Sequence, residues 1–142
     1  MPTPEVTKSA PSEIATPHIL VLDDELAIRT ALARLLKSLK YHCTVAADGE
    51  YILELIDNPH RSNVTYDLAI LDIKIPDGMG GIETMHRIQQ LGIGIPMISM
   101  SGYSTTEIFI KDEDRSGFSG HLQKPFNAKQ LSGELTRLCP NC

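Results

Sequence analysis

Five side chains able to do chemistry stand where short apolar runs stop: Asp23 and Asp24 after residues 18–22, Asp72 closing 68–72, Ser101 closing 95–101, and Lys124 following 118–123. Carboxylates crowded together repel one another, so a site holding all three aspartates must take up a proton or a cation. Oxygen-only donors favour a hard ion, and Mg²⁺ typically takes one or two carboxylates together with waters and phosphate oxygens. A carboxylate can also be the nucleophile that forms an aspartyl phosphate. Lys124 could then offset charge on the phosphoryl oxygens while the Ser101 hydroxyl donates to one of them. Taken together, these residues read as a single phosphoryl-transfer site.

That reading requires the runs to be neighbouring strands of one parallel sheet. Continuous apolar runs such as His18-Ile19-Leu20-Val21-Leu22 and Leu68-Ala69-Ile70-Leu71 suit strands covered on both faces. Open sheets of this kind bind ligands at the carboxyl ends of their strands, which lie only ~4.8 Å apart.

The segments between the runs supply the helices. Ile28, Leu32, Leu35 and Leu39 form one face of a helix over residues 25–40, which Asp23 or Asp24 is placed to cap. A strand over 42–47 closes at Asp48-Gly49, and a helix over 51–56 ends at Asn58-Pro59, before a polar loop over 59–65. After Asp72, Pro76 with Gly78, Gly80 and Gly81 specifies a turning loop. A third helix then starts near Gly81, marked by Ile82, Met85, Ile88 and Leu91 and stopped by Gly92 and Gly94. Helical order is weak over 105–117, which predicts a short or mobile fourth helix. Asn127 can cap a fifth whose buried face is Leu131, Leu135 and Leu138. Strand and helix alternate five times, which predicts a doubly wound, five-stranded parallel α/β sheet with helices on both faces.

Composition narrows the function classes. At 142 residues the chain is expected to be one domain: a disordered arm over 1–17, the domain over 18–138 and a tail over 139–142. Its net charge is -5 and no segment carries a basic stripe, which argues against direct nucleic-acid binding. There is no apolar run of the ~20 residues a membrane span needs, and no signal-peptide pattern, so a cytoplasmic location is expected. Cys43, Cys139 and Cys142 make no disulfide framework, and Cys139-Pro140-Asn141-Cys142 lacks the strand-to-helix setting of a redox motif.

Four segments in this order carry a resemblance: HILVLDD (18–24), DLAILDIKIPDGMGG (67–81), MISMSG (97–102) and HLQKPF (121–126). They resemble the signature segments of the response-regulator receiver domain of two-component and phosphorelay signalling, and the resemblance spans residues 18–138. It implies the flavodoxin-like receiver fold with strand order 2-1-3-4-5. It also implies that Asp72 accepts phosphate from a phosphohistidine on a histidine kinase or a histidine phosphotransfer protein. Mg²⁺, with Mn²⁺ as a substitute, would be bound directly by Asp24, Asp72 and the Lys74 backbone carbonyl, and through water by Asp23. Ser101, with Gly102, matches the switch hydroxyl, and Lys124 the phosphate-binding lysine, with Pro125 a candidate for a cis peptide. The implied protein is no enzyme acting on a separate substrate. It promotes its own phosphorylation and slow dephosphorylation, and signals through the face of its fourth helix, fifth strand and fifth helix. Ser101-Gly102-Tyr103-Ser104 and Phe118-Ser119-Gly120 resemble hybrid-kinase receivers more than stand-alone ones.

Two positions depart from the family pattern. His121 stands where a Tyr or Phe usually reports phosphorylation by rotating inward, which puts coupling through that position in question. Lys74, two residues after the phosphoacceptor, is placed to affect attack of water on the acyl phosphate. The alternative function is an aspartyl-phosphate phosphatase or phosphotransferase of haloacid-dehalogenase type, which would need an acid where Lys74 stands. Nucleotide binding lacks G-x-x-x-x-G-K-[ST].

Overall fold

Side chains alternate across a strand, and here both faces find apolar cover. β1 (His18–Leu22) and β3 (Leu68–Asp72) are the centre of the sheet, and Ile19 through Leu22 and Leu68 through Leu71 are fully buried. The structure, a computed structural model, describes residues 16–57, 65–76, 78–102 and 112–139. The expected arm before residue 16, most of the polar loop after the second helix, residues 103–111 and the last three residues lie outside the described residues.

The sheet has five parallel strands in the order β2-β1-β3-β4-β5, with β2 at His42–Ala46, β4 at Met97–Ser101 and β5 at Gly120–Gln123. On one face Ile19, Val21, Leu68, Ile70, Ile98, Met100 and Leu122 meet Leu32 and Leu36 of α1 (Leu26–Ser38) and Leu131 and Leu135 of α5 (Ala128–Leu138). On the other, Leu20, Leu22, Ala69, Leu71 and Met97 meet Ile52 of α2 (Gly49–Asp57) and Met85 and Ile88 of α3 (Gly81–Gln90). The described part of the fourth helix is one turn, α4 (Asp112–Arg115), tied to α3 by His86 Nε2 and Asp114 Oδ1 at 2.8 Å.

Several boundaries differ from expectation for local reasons. Neither Asp23 nor Asp24 is the N-cap of α1; Glu25 is, without a side-chain bond, and Asp23 Oδ1 instead accepts from the Glu25 N–H at 2.9 Å. α1 stops at Ser38 because Lys40 turns into the left-handed region at φ 75°, so that Lys40 N–H bonds Lys37 O and Tyr41 N–H bonds Leu36 O. β4 begins at Met97, since Pro96 has no N–H for the ladder. Leu91, expected on the buried face of α3, is its C-cap and 43% exposed; Gly92 turns away at φ 76°. Asn127 caps α5 in a reciprocal box with Gln130. Cys139, the C-cap of α5, is buried, and Cys43 is a free thiol. Among the described residues no helix is long and apolar enough to cross a membrane.

Candidate functional site

β1 and β3 lie side by side with Leu22 opposite Leu71, so Asp23 and Asp72 leave the same rim of the sheet as neighbours. β4 continues that rim, with Met100 opposite Asp72 and Ser101 one residue beyond. β5 adds Lys124, whose N–H bonds the Ser101 carbonyl at 2.7 Å and whose peptide to Pro125 is cis. The order of the strands therefore brings the residues singled out in sequence to one place.

The side chains of Asp23, Asp24, Asp72 and Lys124 converge. Lys124 Nζ donates to Asp23 Oδ2 at 2.6 Å and to Asp72 Oδ2 at 3.1 Å. One ligand oxygen each of Asp23, Asp24 and Asp72 falls within 4.8 Å of the other two. Asp23 and Asp72 are buried, and Asp24 is exposed at the mouth of the site. Asp72 Oδ1 accepts a longer bond, 3.3 Å, from the Lys74 N–H, and the Lys74 side chain points to solvent. Gly80 and Gly81 let the start of α3 lie directly on the strand that carries Asp72: a Cβ on Gly81 would stand 2.6 Å from the Asp72 carbonyl oxygen.

Burial pushes the Asp72 carboxyl up to about 6; Lys124 pulls against that shift, and the neighbouring Asp23 charge adds to it. For Lys124, burial works against the ammonium, but its hydrogen bond to Asp23 and the charges of Asp72 and Asp23 outweigh it and raise the pKa. One ammonium among three carboxylates leaves the cluster short of positive charge. Oxygen donors alone, partly buried and under-neutralised, fit a hard divalent cation such as Mg²⁺.

Some residues at the site were not singled out in sequence. Arg29, one turn into α1, donates to the Asp23 carbonyl at 2.9 Å and holds that end of β1. Ser99 Oγ lies 2.7 Å from His121 Nδ1, and Ser101 Oγ 3.2 Å from His121 Nε2. The signal for Ser99 was its period-two spacing from Ser101 on one strand face. A Cβ on Gly102 would meet nothing within 4 Å, so packing does not require glycine there.

Residues 19–136 match the response regulator receiver domain family. Sporulation initiation phosphotransferase F of Bacillus subtilis is 30% identical over 122 residues, 86% of this chain and 93% of that protein. The transcriptional regulatory protein ZraR of Escherichia coli is 31% identical over 84% of this chain, which spans only 25% of ZraR's length. Among solved structures, chemotaxis protein CheY4 of Vibrio cholerae superposes with a TM-score of 0.74 at 25% identity, covering 87% of this chain and 99% of its own.

Proposed function

The chain belongs to the response regulator receiver domain family of two-component signalling, and on that footing we propose that it is a Mg²⁺-dependent phosphoacceptor switch with Asp72 as the acceptor. The observation that carries this reading is the Lys124 ammonium bridging two buried aspartates, Asp23 and Asp72, beside a third at the mouth. A carboxylate oxygen of Asp72 attacks the phosphorus of a phosphohistidine on a histidine kinase or phosphotransfer protein. The P–N bond breaks as the P–O bond forms, and the histidine leaves with the electron pair. Asp24 and Asp72 with the Lys74 carbonyl would hold Mg²⁺ directly and Asp23 through water; the bound ion supplies charge neutralisation at the phosphoryl oxygens.

Lys124 exchanges part of its pairing with Asp72 for a phosphoryl oxygen, while Asp23 keeps it oriented. Ser101, at the end of β4, donates to another phosphoryl oxygen. Hydrolysis of the acyl phosphate by water returns the domain to its resting state. Phosphorylation shifts the population between two arrangements and so alters a downstream protein's docking surface, for which the face of α4, β5 and α5 is proposed. The haloacid-dehalogenase alternative finds no support, since the second position after Asp72 holds Lys74 with its side chain in solvent.

Incubation with acetyl phosphate and Mg²⁺, read by intact mass, tests the proposal. One phosphate adduct is expected on the wild type and none on Asp72→Asn; an adduct of equal yield on the variant, or none on the wild type, removes it.

A further inference from the structure

Resting on Asp72 as the phosphoacceptor, we propose that His121, anchored by Ser99, is a positioning residue that latches the Ser101 hydroxyl in its unphosphorylated place and releases it when Ser101 turns to a phosphoryl group. Ser99 and Ser101 are two residues apart on β4 and share a face, and His121 is the register partner of Ser99 on β5. Its ring spans the pair, with Nδ1 2.7 Å from Ser99 Oγ and Nε2 3.2 Å from Ser101 Oγ.

Among side chains that fit a strand, imidazole alone offers a hydrogen-bonding nitrogen on each side of a rigid ring. Tyr reaches one serine with its hydroxyl and Phe neither. In either neutral tautomer both bonds can form, because each serine hydroxyl donates or accepts as the ring requires. The shorter bond fixes the ring to Ser99, whose hydroxyl also lies 3.4 Å from the Gly120 carbonyl. The longer one is the bond that yields.

Ser101 is buried and His121 lies exposed on the edge strand. Exchanging the Ser101–His121 bond for a Ser101–phosphoryl bond thus removes one restraint on a surface ring in response to a buried event. The linkage runs through hydrogen bonds and does not depend on an aromatic ring filling a cavity. A single hydrogen bond of this kind weights such an equilibrium by about two- to tenfold.

The test measures affinity for beryllofluoride, a phosphoryl mimic, with Mg²⁺ by calorimetry. The proteins are the full chain as wild type, Ser99→Ala, His121→Ala, His121→Gln and Ser99→Ala/His121→Ala, and His121→Ala again in a Ser101→Ala background. If the latch exists, Ser99→Ala and His121→Ala each tighten binding about two- to tenfold, and the double variant adds nothing to the larger single effect. His121→Gln, which can reach only one serine, falls between. In the Ser101→Ala background His121→Ala changes nothing. An effect of the same size with and without the Ser101 hydroxyl, or no tightening at all, overturns the latch. Should the wild type bind no beryllofluoride, it is the phosphoacceptor reading that falls. The tether is then decided by the ¹⁵N shift of His121 Nε2, which must move between wild type and Ser101→Ala; a fixed shift overturns it.

Discussion

Lys124 Nζ stands 3.1 Å from Asp72 Oδ2, joining residues 52 positions apart in sequence through the rim of a parallel sheet. The same ammonium holds Asp23 at 2.6 Å, so one cation restrains the ends of β1, β3 and β5 at once. Lys124→Met leaves two buried carboxylates without it, and without Mg²⁺ it is expected to lower unfolding free energy by about 3 kcal/mol in urea titrations. Excess Mg²⁺ should restore part of that loss, while acetyl phosphate labelling stays low. A variant as stable as wild type in chelator would contradict the pairing.

Asp72 should lower the stability of the metal-free protein. Its carboxyl is raised in the folded state to about 6 from an ordinary 3.8, chiefly by burial, so the folded chain binds the extra proton between those values. Stability linked to this group is therefore full below pH ~4 and lost as pH rises through ~6. Asp72→Asn, which keeps the Lys124–Asp23 pair, should match wild type near pH 4 and exceed it by about 1–3 kcal/mol at pH 7 in chelator. Unfolding curves at both pH values check the sign; an advantage that shrinks as pH rises would refute it.

Mg²⁺ should stabilise the wild type by mass action, about 2.7 kcal/mol at a hundred times its dissociation constant. Asp24→Asn removes the exposed carboxylate at the mouth and leaves the buried pair intact. It should need roughly tenfold more Mg²⁺ for the same rise in melting temperature. Equal titrations of variant and wild type would remove Asp24 from the metal site.

Lys74 presents its N–H to Asp72 Oδ1 at 3.3 Å and its ammonium to solvent beside the site. Lys74→Ala keeps the backbone bond and removes the charge. A few-fold change in the decay of the phosphorylated protein is expected in a mass-resolved time course, and an unchanged decay disposes of the role.

Gly81 is where α3 touches the backbone of β3. The Cβ of Gly81→Ala would stand 2.6 Å from the Asp72 carbonyl oxygen and 3.1 Å from that of Leu71, and backbone cannot swing aside as a side chain can. A loss of about 1–3 kcal/mol in chemical denaturation is expected. Gly94→Ala, where a Cβ meets nothing within 4 Å, is the control and should stay within ~0.5 kcal/mol.

The apolar runs, the helical stripe of α1, the cap at Asn127 and the acids and lysine closing the runs were legible in the sequence, because each is a local pattern of period, cap or residue type. Those patterns carried the α/β class and the reading of a phosphoryl-transfer site, and the motif resemblance added the strand order that the sheet displays. Tertiary structure alone decided the rest. Lys124 holds Asp23 Oδ2 at the site while Glu25 stands as the N-cap of α1, and Leu91 stays 43% exposed at the end of α3. Above all, the sequence marked His121 as a departure from the family pattern but not what it touches; β4 and β5 pair in the one register that sets its two-sided ring between Ser99 and Ser101. Which side chains share a strand face is a short-range matter of period two. Which strands stand together, and in what register, is set by contacts between residues far apart in the chain.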